Sequence, residues 1–242
     1  MISLGQYTCA RVSLGLAGDS LPTRPLLDYR LAHARARDAV HFPLDAFSLS
    51  QELKQRNWSF LATRSAAKNR DEYLRHPDKG RTLDAASATQ LAALSGAPPF
   101  VFVIADGLSA IAIQRHAIPL LDQAFAALKF IPNDRNPIIL VEQGRVAIGD
   151  HIGELLRAEL SVVLIGERPG LSAPDSLGVY LTWNPKRGRT DAERNCISNI
   201  HAQGLPYDRA ARKLTFLINE ARRRKLTGIS LKETAALPEP GA

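Results

Sequence analysis

The residues best placed to do chemistry lie between Ser161 and His201. The apolar run Ser161 to Ile165 is too short for a buried helix and too apolar for a surface loop, so it reads as a strand covered on both faces. Gly166-Glu167-Arg168-Pro169-Gly170 follows it. At the carboxyl end of a strand in an open α/β sheet, side chains point into the ligand crevice, which makes Glu167 a candidate acceptor for a ligand's hydrogen bonds. The bland alternative is a surface ion pair with Arg168, which would be worth little. Cys196 is the one thiol of this stretch. A nucleophilic thiol needs a placed base, and His201 is a weak candidate, so a small buried hydrophobe is its commoner role. Val146 follows another apolar run, Pro137 to Glu142. Alone it is an ordinary core or turn valine, yet an apolar contact is all that a large ring system would ask of it.

Other chemistries find little support. Gly144 to Gly149 has the first part of a phosphate-binding Gly-x-x-x-x-Gly-Lys-Ser/Thr loop, but Asp150 and His151 stand where the lysine and hydroxyl belong, so nucleotide hydrolysis is not indicated. No Gly-x-Gly-x-x-Gly occurs. Six scattered histidines and two remote cysteines give no metal-ligand spacing.

The elements that must position these residues fall into three parts. Residues 1–23 carry no sustained periodicity and read as an arm. Residues 24–97 read as a helical domain, with Pro25 in a first turn and an apolar stripe through Leu27, Leu31 and Ala34 that continues in Leu49 to Trp58, Ala66 to Leu74 and Leu83 to Leu94. Residues 98–242 alternate strand and helix. Phe100 to Ala105, Pro137 to Glu142, Ser161 to Gly166 and Gly178 to Trp183 are the strand candidates. Leu108 to Phe130 is a long apolar helix that Pro119 should kink or divide, His151 to Leu160 a shorter one with Asp150 near its cap, and Leu205 to Leu226 a last one closed by Gly228. The expected fold is therefore α/β, a helical N-terminal part followed by a Rossmann-like, mainly parallel open sheet covered by helices.

The composition agrees. The chain has 242 residues, 45% apolar and 23% charged, which suits a soluble globular protein with one large core or two domains. No apolar stretch approaches the ~20 residues of a spanning helix, so no membrane partner is expected. Cys9 and Cys196 lie far apart, and free thiols in a reducing cytosol are the default. The net charge of +7 raises the question of a polyanionic partner. Much of it is arginine spread along helices, with a cluster at Arg222 to Lys225 that suits a helix's last turn. A nucleic-acid-binding module would also need a reading helix or an aromatic platform, and aromatic residues are only 6%. That class and a stand-alone thiol enzyme built on Cys196 are the two alternatives, and nucleic acid is not the expected partner.

Several motifs together resemble a known family. Gly166-Glu167-Arg168-Pro169-Gly170-Leu171-Ser172, Leu177 to Thr182 and Arg194 to Ile200 are similar to the small subunit (light chain) of ethanolamine ammonia-lyase, an adenosylcobalamin-dependent enzyme, and the match extends through Leu31 to Val40, Val103 to Ala110 and Gly144 to Asp150. The resemblance implies contacts to cobalamin through Val146, Glu167 and Cys196, the first two just past strands and the third in the connection after the fourth. It further implies a large barrel subunit that holds ethanolamine and the catalytic groups in a hetero-oligomer, with no catalytic residue in this chain. Cobalamin proteins that replace the lower axial base carry an Asp-x-His-x-x-Gly turn. Asp150-His151-Ile152-Gly153 has the wrong spacing, so the base-on form of the cofactor is expected. The implied location is cytoplasmic, with housing in a bacterial microcompartment left open.

Overall fold

The computed structural model describes residues 11–12, 14–94 and 96–231, so Cys9 lies outside them, as do most of the N-terminal arm and the residues after Leu231. The order along the chain is α1 (Thr23–His41), α2 (Ala46–Gln55), β1 (Phe60–Arg64), α3 (Arg70–Arg75), α4 (Ala85–Ala92), β2 (Val101–Ala105), α5 (Ala110–Leu128), β3 (Ile138–Glu142), α6 (Ile148–Leu156), β4 (Leu160–Gly166), β5 (Leu177–Trp183), β6 (Arg194–Ile200) and α7 (Tyr207–Arg224). Four helices start where a short polar side chain takes up a free N–H of the first turn: Asp45, Asn69, Asp84 and Ser109 accept from Ser48, Glu72, Ser87 and Ala112.

The strands form one open sheet in the order β1-β3-β2-β4-β5-β6. The pairings β1–β3, β2–β3 and β2–β4 are parallel, whereas β4–β5 and β5–β6 are antiparallel, so the sheet is mostly parallel with an antiparallel flank. Alternate residues of the central strands feed opposite faces. Phe102 and Ile104 join a core with α2, α5 and α7, while Val101, Val103 and Ala105 join another with α4 and α6. The central strands are buried throughout and read as continuous apolar runs for that reason.

Several expectations need correction. Residues 24–97 are not wholly helical: Phe60–Arg64 is a strand at the sheet edge, paired with β3. Its five residues sit between helical segments, and its two apolar side chains are only half buried, so its pattern is weak. Arg194–Ile200 is a strand rather than a connection, and Cys196 lies within it. A register shift opposite Leu177 and Val179 leaves Arg194, Ile197 and Ile200 as its buried positions. That spacing of three hides the strand from a search for alternation. Pro119 does not divide α5, which runs unbroken from Ala110 to Leu128 and buries ten residues against the sheet and its neighbours. Tertiary packing outweighs the lost hydrogen bond there. The helix α6 begins at Ile148, which places Asp150 and His151 inside it. Gly228 does not close the last helix, because Lys225 takes the left-handed conformation at its end. Gly228 serves a close approach instead, since a Cβ there would lie 2.1 Å from the Ala192 carbonyl oxygen.

Candidate functional site

The turns that leave β2, β3 and β4 meet at one end of the sheet. Asp106, at the end of β2, is 1% exposed, and its Oδ1 accepts the Gly144 N–H of the next turn at 2.9 Å. Arg70 reaches the same point from α3, donating to the Gly107 carbonyl at 2.8 Å with its Nη1 3.5 Å from Asp106. Burial outweighs these favourable partners and raises the Asp106 pKa to about 6. The turns after β2 and β4 touch backbone to backbone. Leu108 donates to the Gly166 carbonyl at 2.9 Å, and a Cβ on Gly166 would stand 2.0 Å from the Ser109 carbonyl oxygen. Only glycine fits.

Above this floor lies an open cleft of about 400 Å³, lined by Tyr73, Leu108, Arg145, Val146, Glu167 and Tyr180 among others. A second lobe of about 500 Å³ adjoins it and shares Arg145, Val146 and Tyr180. Val146 and Glu167, separate in sequence, thus line one cleft. Cys196 lines neither lobe. It is the cross-strand partner of Tyr180, and its thiol interacts with that residue's hydroxyl. The sequence reading missed Tyr73, Arg145 and Tyr180. Arg145 and Tyr180 stood inside motifs that had been singled out, but nothing in their types separated them from their neighbours. Tyr73 lies on a short helix remote in sequence, so only the fold could bring it in.

Glu167 is half buried, and no ion pair joins it to Arg168 among the described residues. Its Oε2 instead accepts from the Ser176 hydroxyl at 2.5 Å and the Asn199 N–H at 3.2 Å, while its own N–H donates to the Ser176 carbonyl at 2.9 Å. One oxygen therefore ties β4, β5 and β6 together. The other, Oε1, has no donor among the described residues. The Cys196 residue is exposed at the surface, yet desolvation around its sulfur pushes the thiol pKa up. That is the wrong direction for a nucleophile. His201 is engaged with Asn199 Oδ1 at 2.8 Å, so it is not held by Cys196.

Two arginines pack on the Tyr73 ring, with the Arg70 and Arg145 guanidinium carbons 4.7 and 4.3 Å from its centroid. Arg145 Nη2 donates to the Tyr73 carbonyl at 3.0 Å, while Arg145 Nε is buried and has no partner among the described residues. Below the second lobe, Arg194 forms a two-pronged pair with Asp150 at 2.6 and 2.7 Å, both side chains 2% exposed, and also donates to Thr182 Oγ1 at 2.8 Å and the Arg189 carbonyl at 2.9 Å. His151 is turned into the fold, where its Nδ1 accepts the Leu83 N–H at 3.1 Å. Burial lowers its pKa, so it is held neutral. Among the described residues no group of His, Cys, Asp and Glu could hold a metal ion.

The profile described as ethanolamine ammonia-lyase light chain (EutC) matches residues 1–232. The chain belongs to that family. It is 52% identical over 238 residues to the ethanolamine ammonia-lyase small subunit of Pseudomonas aeruginosa strain PAO1, covering 97% of this chain and 87% of that one. Similar figures relate it to the small subunits of Azotobacter vinelandii (52% over 236 residues, 96% and 87% covered) and Ralstonia nicotianae (51% over 240 residues, 98% and 89%). A light chain implies a larger partner subunit. No helix among the described residues is long and apolar enough to cross a membrane.

Proposed function

We propose that this chain is one wall of an adenosylcobalamin site, completed by a large barrel subunit that holds ethanolamine, in an enzyme that releases acetaldehyde and ammonia. The observation that carries this reading is the convergence of Val146 and Glu167 on one open cleft at the strand ends, with Cys196 beside the Tyr180 that lines it. The residues suit such a ligand. Val146 offers an apolar contact to a ring edge. The Glu167 carboxylate, anchored through Oε2, keeps Oε1 for an amide or hydroxyl of the ligand. Arg145 adds a positive charge to the cleft wall, its guanidinium held on the Tyr73 ring. An open groove rather than an enclosed cavity fits a ligand shared between two chains.

The cofactor supplies the radical chemistry when bound, and the protein's share is binding, orientation and exclusion of water. Here the floor is rigid because the Gly107–Leu108 and Gly166–Glu167 turns interlock through backbone. Glu167 is oriented by Ser176 and Asn199, so it meets the ligand without a large ordering cost. The motif histidine, His151, is turned into the fold with its Nδ1 on the Leu83 N–H, and no histidine is among the residues lining either lobe, which supports the base-on form.

The test is reconstitution. Acetaldehyde and ammonia are assayed with each subunit alone and with both, in the presence of adenosylcobalamin. Turnover is expected only from the pair, and turnover by this chain alone would overturn the division of labour. Cofactor affinity of the assembled enzyme should fall about 10- to 100-fold in Glu167→Ala and less in Glu167→Gln.

A further inference from the structure

The helix α1 is barely held by the fold. Among helices of similar length α5 buries ten residues and α7 six, whereas α1 buries only Ala39, with Ala32 and Ala36 of the two preceding turns half buried. Its apolar stripe lies elsewhere. Leu27 and Leu31, one turn apart, are 57% and 50% exposed, and Phe42 at the helix end is 44% exposed. Local interactions do not compensate, since the N-terminus has no side-chain cap and no acidic residue in its first turn. A helix of this length is marginal in water without a packed face, so a bare apolar stripe at helical spacing marks a contact with another chain.

Charge and position say which chain. The helix carries four arginines and two aspartates. Arg24, Arg30 and Arg35 have no carboxylate partner among the described residues, and Arg37 meets only Asp38, at 3.6 Å with the two side chains 69% and 71% exposed. Two such faces would repel one another, which disfavours a second copy of this chain and favours an acidic surface. The face also runs into the rim of the cleft. Leu31 and Arg35 share a groove of about 290 Å³ with Leu171 and Pro174 of the segment between β4 and β5, the segment that Glu167 begins. One guanidinium joins the helix to the cleft floor: Arg70 donates from Nε to the Val40 carbonyl, in the last turn of α1, at 2.7 Å and from Nη1 to the Gly107 carbonyl at 2.8 Å. A chain that closes the open side of the cleft is therefore brought beside α1.

We infer that α1 is a docking helix for the large subunit, which meets it with an acidic surface carrying an apolar patch seated on Leu27 and Leu31. This rests on the function proposed above, in which that subunit completes the cleft.

The experiment titrates this chain with the large subunit, without cofactor, and reads the dissociation constant by sedimentation velocity. Leu27→Glu with Leu31→Glu, and separately Arg35→Glu, should each weaken binding about 10-fold or more, because each sets a negative charge against an apolar or an acidic surface. Glutamate is a good helix former, so the helix itself is spared. Ile131→Glu is the control. Ile131 is 69% exposed in the connection from α5 to β3, at the opposite end of the sheet from the cleft, and its variant should bind within about twofold of the parent. Added salt should weaken the parent complex and affect Arg35→Glu less. Leu27 and Leu31 belong to neither core, so the double variant should melt with the parent chain. Unchanged affinity in the α1 variants, or an equal loss in Ile131→Glu, would overturn the assignment. A melting temperature that falls along with the affinity would overturn it too, by returning the two leucines to the fold. Self-association of this chain that the α1 variants abolish, with binding to the large subunit intact, would overturn it by making a second copy the occupant. No corrinoid is present, so failure here leaves the cofactor reading standing, and reconstitution of turnover tests that reading separately.

Discussion

Replacing Arg194 by methionine should destabilise the fold by an amount that depends on pH in a calculable way. The substitution removes both charge-assisted hydrogen bonds from Asp150, a carboxylate only 2% exposed, together with the donors to Thr182 and the Arg189 carbonyl. Burial already holds the Asp150 pKa above its ordinary value of 3.8 despite the guanidinium, so without it burial acts unopposed. Breaking a buried pair from one side costs about 3–5 kcal/mol. An upper bound follows from protonation, because the carboxyl can take a proton at about 1.4 kcal/mol for each pH unit above its unfolded pKa, or about 5 kcal/mol at pH 7.5 and about 2 kcal/mol at pH 5. The folded variant then binds a proton that the unfolded chain releases, so its stability falls as pH rises above 3.8 and returns as pH falls. At about 2–4 °C per kcal/mol for a chain of this size, the melting temperature at pH 7.5 should drop on the order of 6–20 °C. Denaturant unfolding of parent and Arg194→Met at pH 5 and 7.5 measures the difference directly. Adding Asp150→Leu to Arg194→Met should recover most of it, since an apolar pair of similar volume replaces a buried ionic one at little cost. A loss below about 1 kcal/mol at pH 7.5, or one equal at the two pH values, would refute the reasoning.

The other predictions concern the floor of the cleft and the histidine beneath it. Asp106 has its pKa raised to about 6 by burial, so between about pH 4 and 6 it should make the parent less stable by about 3 kcal/mol as pH rises, a slope that Asp106→Asn removes; parallel stability curves for the two proteins would contradict this. His151→Ala strands the Leu83 N–H and should cost about 1–3 kcal/mol of stability, yet leave the spin-resonance pattern of the reduced, bound cobalt unchanged. A histidine-nitrogen coupling that vanishes in His151→Ala would count against base-on binding. Gly166→Ala places a methyl 2.0 Å from the Ser109 carbonyl oxygen, so the assembled enzyme should lose corrinoid affinity and this chain should melt lower. An unchanged melting temperature and affinity would show that the two turns do not interlock as described.

What could be read from the residues followed burial. The strands β2, β3 and β4 are covered on both faces, so their apolar runs declared them without help from the rest of the chain. Phe60–Arg64 and Arg194–Ile200 are the two edges of the sheet, half exposed and short or bulged, and their patterns are diluted accordingly. Val146 and Glu167 were legible as strand-end residues, and the family resemblance marked them as contacts. The cleft itself was not legible, because Tyr73 and Arg70 arrive from a helix about 70 positions before Arg145, and no local rule ties a tyrosine there to an arginine here. The split role of Glu167 was hidden for the same reason: Asn199 reaches it only because β6 lies beyond β5 in the sheet.

The antiparallel step from β4 to β5 has an evolutionary consequence. Because β5 returns directly alongside β4, the intervening residues 167–176 begin and end at the same place, held there by Glu167 and Ser176. Pro174 and Asp175 are likewise fastened, to Ser109 and Arg115, so residues 168–173 form an arch whose feet are fixed and whose crown is closed by the Gly170 N–H on the Ala173 carbonyl and touched by Arg11 at the Leu171 carbonyl. Doubling the length of such an arch costs only about 0.6 kcal/mol in closure entropy. Closure entropy therefore sets little limit on the length of this arch, so the motif that Gly166 to Ser172 share with the family is better explained by what the rim of the cleft must meet than by the cost of closing the chain.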